Sequence, residues 1–224
     1  VASRGLGDVY KRQAKTGSGM TLAVVIPFLE RLWRLIWSRD DGLGALIITP
    51  TRELAYQIFE TIKKVGKNHD FSAGLVIGGK DWTFEGKRLS TCNVVVCTPG
   101  RLLQHMDENP HFDASSLNLL VLDEADRMAD MGFMPAVRRI LNQTAEKRQT
   151  MLFSATLDGD VAKLTKDHQE NPVHYKVGQE SPDLTQATHQ FCKVAREDRV
   201  SVVAVAIDAV WPAIVFCRTR RGSD

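Results

Sequence analysis

Two adjacent carboxylates and a third close behind, Asp123, Glu124 and Asp126, follow the apolar run 117–122, which only Asn118 interrupts. A short run bounded this way predicts a buried parallel strand, and in an open α/β sheet ligands bind outside the carboxyl ends of such strands. Acids held together there repel one another unless a cation neutralises them. Mg²⁺ suits the position, because it takes one or two carboxylates and fills its other sites with waters and phosphate oxygens. For this stretch taken alone, a solvated acidic turn closing a strand is the plain alternative.

A second stretch has matching chemistry. Ala14-Lys15-Thr16-Gly17-Ser18-Gly19-Met20-Thr21 leads into the apolar run 22–28, as a phosphate-cradling loop leads into a helix. Backbone N–H groups there point at an anion, glycines let the chain approach it, and the Thr21 hydroxyl can ligand Mg²⁺. Gly-Ser-Gly also occurs in plain linkers, and Met20 stands where such loops carry a lysine. The preceding residues, Asp8-Val9-Tyr10-Lys11-Arg12-Gln13, are too polar for an interior strand without burying charge. They resemble the translated end of a transposon used to prepare sequencing libraries. That implies a non-native leader over residues 1–13 and native sequence from about Ala14.

The elements that must hold these groups recur in a regular order. Apolar strands are expected at 45–48, 75–77, 94–97, 117–122 and 150–153, and helices from Leu22, over 52–66, after Arg101 and over 135–141. Trp33 and Trp37, one turn apart, are expected to pack a helix face rather than stack on bases. Strands alternating with helices, with polar residues at the strands' carboxyl ends, specify a doubly wound parallel sheet. After about residue 170 the pattern changes. A linker over 179–189 precedes a strand–helix–strand at 190–194, 198–210 and 213–217, the truncated start of a second domain, since one such unit cannot cover both faces of its sheet.

Composition narrows the classes. The 224 residues are 43% hydrophobic and 25% charged, as in an ordinary globular protein. No apolar stretch reaches the roughly 18 residues of a membrane span. Net charge is +2, from 29 basic and 27 acidic residues, so nucleic-acid binding must rest on a local patch. Cys92, Cys97, Cys192 and Cys217 show no metal-ligand spacing, and scattered thiols imply a reducing compartment.

Taken together, residues 14–21, Pro50-Thr51-Arg52-Glu53-Leu54-Ala55, Gly78-Gly79, Thr98-Pro99-Gly100-Arg101, Asp123-Glu124-Ala125-Asp126, Ser154-Ala155-Thr156 and Val215-Phe216-Cys217-Arg218-Thr219 resemble the motifs of the DEAD-box ATP-dependent RNA helicases, in their order and spacing. The resemblance covers residues 14–224. It implies a P-loop NTPase of RecA-like fold, with the ATP-binding first domain over 14–178 and the opening of a second from 190. ATP and Mg²⁺ are the implied cofactors. Ala14, Thr16, Gly17, Ser18, Gly19, Met20 and Thr21 would wrap the phosphates. Asp123 would hold Mg²⁺ through water with Thr21, and Glu124 would orient the attacking water. Asp126 would tie to Ser154 and Thr156, coupling the nucleotide site to the inter-domain face.

Pro50, Thr51, Arg52, Gly79, Thr98, Pro99, Gly100 and Arg101 would hold the backbone of single-stranded RNA without reading sequence. Residues 44–125 are more similar to ribosome-biogenesis helicases of eukaryotic nucleoli, and residues 127–221 to bacterial members. A chimera joined near the acidic motif stays open, and with it a nucleolar or a cytoplasmic site inside the cell. A monomer is expected. Met20, the absence of the upstream adenine-recognising element and a second domain cut short each argue against turnover. An ATP-hydrolysing, RNA-opening parent enzyme and a catalytically silent RNA- and nucleotide-binding module are therefore both carried forward. A P-loop ATPase acting on DNA or protein is disfavoured by Pro50-Thr51-Arg52 and Thr98-Pro99-Gly100-Arg101.

Overall fold

The computed structural model describes residues 8–12, 20–79, 81–169, 172–177, 192–195, 197–209 and 215. The chain divides into two compact units, Val1–Gln179 and Glu180–Asp224.

In the first unit the strands are β1 (Asp8–Arg12), β2 (Ala45–Ile48), β3 (Ala73–Val76), β4 (Val94–Cys97), β5 (Leu119–Leu122), β6 (Gln149–Phe153) and β7 (Val173–Val177). The helices are α1 (Met20–Arg34), α2 (Arg52–Val65), α3 (Trp82–Leu89), α4 (Pro99–Glu108), α5 (Ala125–Asp130), α6 (Met134–Asn142) and α7 (Gly159–His168). The strands form one seven-stranded sheet in the order β3-β4-β2-β5-β6-β1-β7, and every adjacent pair is parallel. Strands β2, β4 and β5 are buried along their whole length. That explains why they read as continuous apolar runs rather than alternating ones.

Each face of the sheet carries its own core. Leu46, Ile48, Val95, Cys97, Leu120 and Leu122 pack on one side with residues of α4 and α6. Ala45, Ile47, Val94, Val96, Leu119 and Val121 pack on the other with α1 and α2. This is the doubly wound parallel sheet expected.

Three details differ from the sequence expectations. Asp8–Arg12 does form an interior strand, paired with β6 (Asp8↔Met151) and with β7 (Asp8↔Val173). The polar side chains argued against this, but ladder hydrogen bonds belong to the backbone, and the slot between β6 and β7 needs a partner on both edges. Strand β7 has no counterpart among the strands expected from the sequence. The tryptophans also part company. α1 stops at Arg34, and Ile36 adopts a left-handed conformation at φ 55°. The chain turns Trp37 back onto the core and leaves Trp33 59% exposed. Trp37 donates its indole N–H to the Gly42 carbonyl at 3.1 Å. A β-carbon on Gly44 would lie 2.7 Å from both the Trp37 ring and Leu32, so a glycine is required at this approach.

The described part of the second unit contains α8 (Arg199–Ala209). Within the strand expected at 190–194, the described residues 192–194 are irregular, and the one expected at 213–217 lies outside the described residues apart from Val215. Among the described residues, no helix is long and apolar enough to cross a membrane.

Candidate functional site: the carboxyl edge of the sheet

Strand register brings the motifs into a row. Just past the ends of β4, β2 and β5, three backbone N–H groups each reach to the neighbouring strand. Thr98 donates to Val76 at 3.0 Å, Thr49 to Cys97 at 3.0 Å and Asp123 to Ile48 at 2.9 Å. Residues 78–79, 98–101, 49–52 and 123–126 therefore line one edge in spatial order. Residues as far apart in sequence as Ile48 and Asp123 become neighbours because the parallel ladder leaves them no other place.

Asp123 is the most constrained of them, at 4% exposure. Burial, and then the Glu124 carboxylate, push its pKa up to about 7; the Glu124 N–H, which donates to its Oδ1 at 3.1 Å, pulls the other way. A buried acid under this pressure fits a cation. Among the described residues no three His, Cys, Asp or Glu side chains converge as a metal centre. A single buried carboxylate placed like Asp123 could hold Mg²⁺, which takes one or two carboxylates and fills its other sites with waters and phosphate oxygens.

Glu124 follows in a left-handed conformation, φ 52° and ψ 52°. For a residue other than glycine that costs about 1–3 kcal/mol, and such strain concentrates at functional sites. The left-handed step turns the chain into α5 and sends successive carboxylates different ways. Glu124 lies half-buried with its Oε2 accepting from Arg127 at 3.1 Å. Asp126 connects to Ser154 through its own backbone N–H, which donates to the buried Ser154 Oγ at 3.1 Å. Thr156 is exposed and makes no hydrogen bond to Asp126 among the described residues. Ser154→Ala is expected to lower stability by about 1–2 kcal/mol, measured by urea unfolding, because the Asp126 amide loses its acceptor. No change in the unfolding midpoint would show that this link carries no weight.

The proposed phosphate loop at 14–19 lies outside the described residues. Its exit is visible: α1 begins at Met20, carries no acid in its first turn, and holds Thr21 half-buried there.

The other end of the row carries cations and hydroxyls. Pro50 is buried, and the Thr51 hydroxyl caps α2 by accepting from the Leu54 N–H at 3.3 Å. Arg52 is exposed, with no carboxylate at ion-pair distance among the described residues. Gly78 and Gly79 take φ 72° and 78°. A β-carbon on Gly79 would lie 3.3 Å from the Arg52 guanidinium, and one on Gly78 would lie 4.0 Å from Arg101 Cδ. Thr98 caps α4 by position, with the buried Pro99 in its first turn, and open space surrounds Gly100.

Arg101 is the surprise. It is expected to hold RNA, but its side chain is only 16% exposed. Its Nε donates to Glu85 at 2.7 Å and its Nη1 to Gln104 at 3.0 Å, and the guanidinium lies over the Trp82 ring at 4.8 Å. Glu85, on α3, also meets the fully buried His105 at 3.0 Å, and His105 stacks on Trp82 with ring centres 3.9 Å apart. Sequence reading missed α3 and this cluster. The available signals were Asp81, whose carboxylate caps the helix by accepting from Phe84 N–H at 2.8 Å, and the spacing of Trp82, Glu85 and Leu89.

The comparisons with known proteins agree with this geometry. A family model described as DEAD/DEAH box helicase matches residues 7–164. The chain is 52% identical over 194 residues to a human protein named probable ATP-dependent RNA helicase DDX10, covering 85% of this chain and 22% of that one. It is 46% identical over 219 residues to the Aspergillus oryzae ATP-dependent RNA helicase dbp4, covering 96% of this chain and 27% of the relative. The chain thus spans about a quarter of the length of these relatives. Among solved structures, the yeast DEAD-box splicing factor Prp28 superposes with a TM-score of 0.70 at 35% identity, covering 79% of this chain and 43% of that one. A DEAD box protein from Methanococcus jannaschii gives 0.69 at 30% identity over 96% of this chain and 56% of that one. With a family model over most of its length and the acidic motif seated at the end of β5, this chain belongs to the DEAD-box ATP-dependent RNA helicase family.

Proposed function

We propose that residues 14–178 are the ATP- and RNA-gripping first lobe of an enzyme that couples ATP hydrolysis to opening of RNA duplexes. Residues 179–189 would form a linker, and residues 190–224 the opening of the second lobe. The observation that carries this reading is the row of strand ends, with a buried, cation-seeking Asp123 among them and an exposed Arg52 beside paired glycines.

In this reading residues 14–21 wrap the phosphates, and an acid-free first turn of α1 adds favourable dipole to bound anion. Mg²⁺, when bound, neutralises charge on the phosphate oxygens, with Asp123 and Thr21 as its protein partners. Glu124 orients the attacking water, and its strained backbone fixes where its carboxylate sits. Ser154 holds Asp126 and so connects this site to β6, with Thr156 free to meet a second lobe. Pro50, Thr51, Arg52, Gly79, Thr98, Pro99 and Gly100 grip RNA through phosphate and sugar, and Arg101 does so from a fixed position.

The second reading is a silent RNA- and nucleotide-binding module, and Met20 favours it. An RNA-stimulated ATPase assay separates the two. We expect this chain to give no hydrolysis above background, and turnover that vanishes with Glu124→Gln would overturn that. The similarity of residues 44–125 to nucleolar helicases leads us to propose a ribosome-biogenesis role, in the nucleolus, for a monomeric parent protein. Residues 1–13 we propose to be a non-native leader, although Asp8–Arg12 pair in the sheet; resequencing the source gene across codons 1–21 tests this.

RNA binding should be weak, indifferent to sequence and lowered by salt with a shallow slope, since only a few phosphates are gripped. Arg52→Ala should weaken it about equally for unrelated single strands in a fluorescence anisotropy titration. Affinity unchanged by the substitution would place the RNA path elsewhere.

A further inference from the structure

Strand β3 is the outermost strand on its side of the sheet. Val94 N–H donates to Ser72 and Thr98 N–H to Val76, each at 3.0 Å, so β4 takes the backbone groups of the even-numbered residues. The N–H and C=O groups of Ala73 and Leu75 therefore point outward from the sheet, which is a template for another strand.

The surroundings of this edge are unusual. α2 covers one face of the sheet beside it and α3 the other: Ile58 and Ile62 share a core with Val94 and Val96, whereas Leu89 shares one with Val95 and Cys97. A cleft of about 490 Å³ runs between the two helices along β3. Phe59, Lys63 and Lys67 line it on the α2 side, and Phe84 and Arg88 on the α3 side. Phe84 is 63% exposed, a large apolar surface to leave facing solvent.

The charge in the cleft is one-sided. Lys63, Lys67 and Arg88 face it, against a single acid, Glu85, which already holds Arg101 at 2.7 Å. Lys63 shares an exposed contact with Glu60 at 3.1 Å, worth little in water. Lys67 and Arg88 have no carboxylate at ion-pair distance among the described residues.

We propose that this edge is a docking site for an extended, acidic segment of a partner protein. The segment adds to β3 as a further strand. Side chains of such a strand alternate in direction, so successive residues face α2 and α3 in turn, with apolar ones against Phe59 and Phe84 and acidic ones against Lys67 and Arg88. The site lies along the strand, not at the strand ends that the nucleotide and RNA reading uses, and stands or falls independently of that reading.

Three fluorescein-labelled nine-residue peptides, built around a central valine, isoleucine and phenylalanine that only the third interrupts, test it on this chain. One is flanked by aspartates and glutamates, one by lysines, and one is acidic with a proline in the middle. The acidic peptide should bind, and the other two should bind at least about tenfold more weakly, because charge and strand addition both contribute. Binding should slow hydrogen exchange at the Ala73 and Leu75 amides. Lys67→Glu with Arg88→Glu, two exposed positions whose exchange should leave the thermal transition unchanged, should move the preference to the lysine peptide, and oligouridine should not compete. Several results would each overturn the proposal: no binding, equal binding of all three, protection elsewhere, competition by RNA, or a preference that survives the charge reversal.

Discussion

Arg101→Ala is expected to lower folding stability by about 3–5 kcal/mol, read as a shift of the urea unfolding midpoint with the slope unchanged. The reason is what the substitution leaves behind. Glu85 is 3% exposed at its side chain, and Arg101 and His105 are its partners. Glu85 Oε1 and His105 Nδ1 already lack hydrogen-bond partners in the interior. Remove the guanidinium and a buried carboxylate faces only an imidazole, while Trp82 loses the cation over its ring. Replacing both members, Glu85→Gln with Arg101→Met, keeps an amide for His105 and removes both full charges. That double variant should recover most of the loss, since exchanging a whole buried pair is often near neutral. A loss below about 1 kcal/mol for Arg101→Ala would mean that the pair is effectively solvated.

This changes how the RNA row should be dissected. Arg101 belongs to a motif that resembles an RNA grip, yet its side chain is built into the fold. Weaker RNA binding by Arg101→Ala would mix a lost contact with a loosened α3 and α4. Arg52 has no such entanglement, and its substitution reports on the surface alone.

What the sequence revealed, and what it hid, divides along the range of the forces concerned. β2, β4 and β5 were legible because burial on both faces removes every polar residue from four consecutive positions. The acidic motif was legible because carboxylates directly after such a run have one place to go. The row of strand ends followed from the fold class. The Glu85 cluster was not legible, because its members lie 16 and 20 residues apart on separate helices and each, read alone, looks like a solvent-facing side chain. β1 was misjudged for the opposite reason: its side chains are locally wrong for an interior strand, and the ladder between β6 and β7 overrode them. The tryptophan pair failed at a single residue, since nothing in Leu35-Ile36 announces the left-handed turn that separates Trp33 from Trp37.

Met20→Lys should raise ATP affinity by about tenfold to a hundredfold, and hydrolysis by more, in a polypeptide that carries a complete second lobe. A lysine at the first position of α1 would place an ammonium beside the phosphates that residues 14–21 are proposed to wrap. A hydrogen bond from a charged donor is worth about 1.5–3 kcal/mol, and each 1.4 kcal/mol is a factor of ten in binding. The effect on hydrolysis is larger because negative charge shifts toward the leaving group as the bond breaks, and a fixed cation acts most strongly there. Methionine offers neither charge nor donor. Two controls keep the outcome specific. Glu124→Gln added to Met20→Lys should abolish the recovered turnover while leaving nucleotide binding nearly intact, because the amide cannot accept a proton from water. RNA affinity measured without nucleotide should not change, since the RNA row is gripped by other strand ends. Equal hydrolysis by the methionine and lysine forms would show that this loop needs no cation at position 20, and the phosphate-binding role assigned to residues 14–21 would have to be given up.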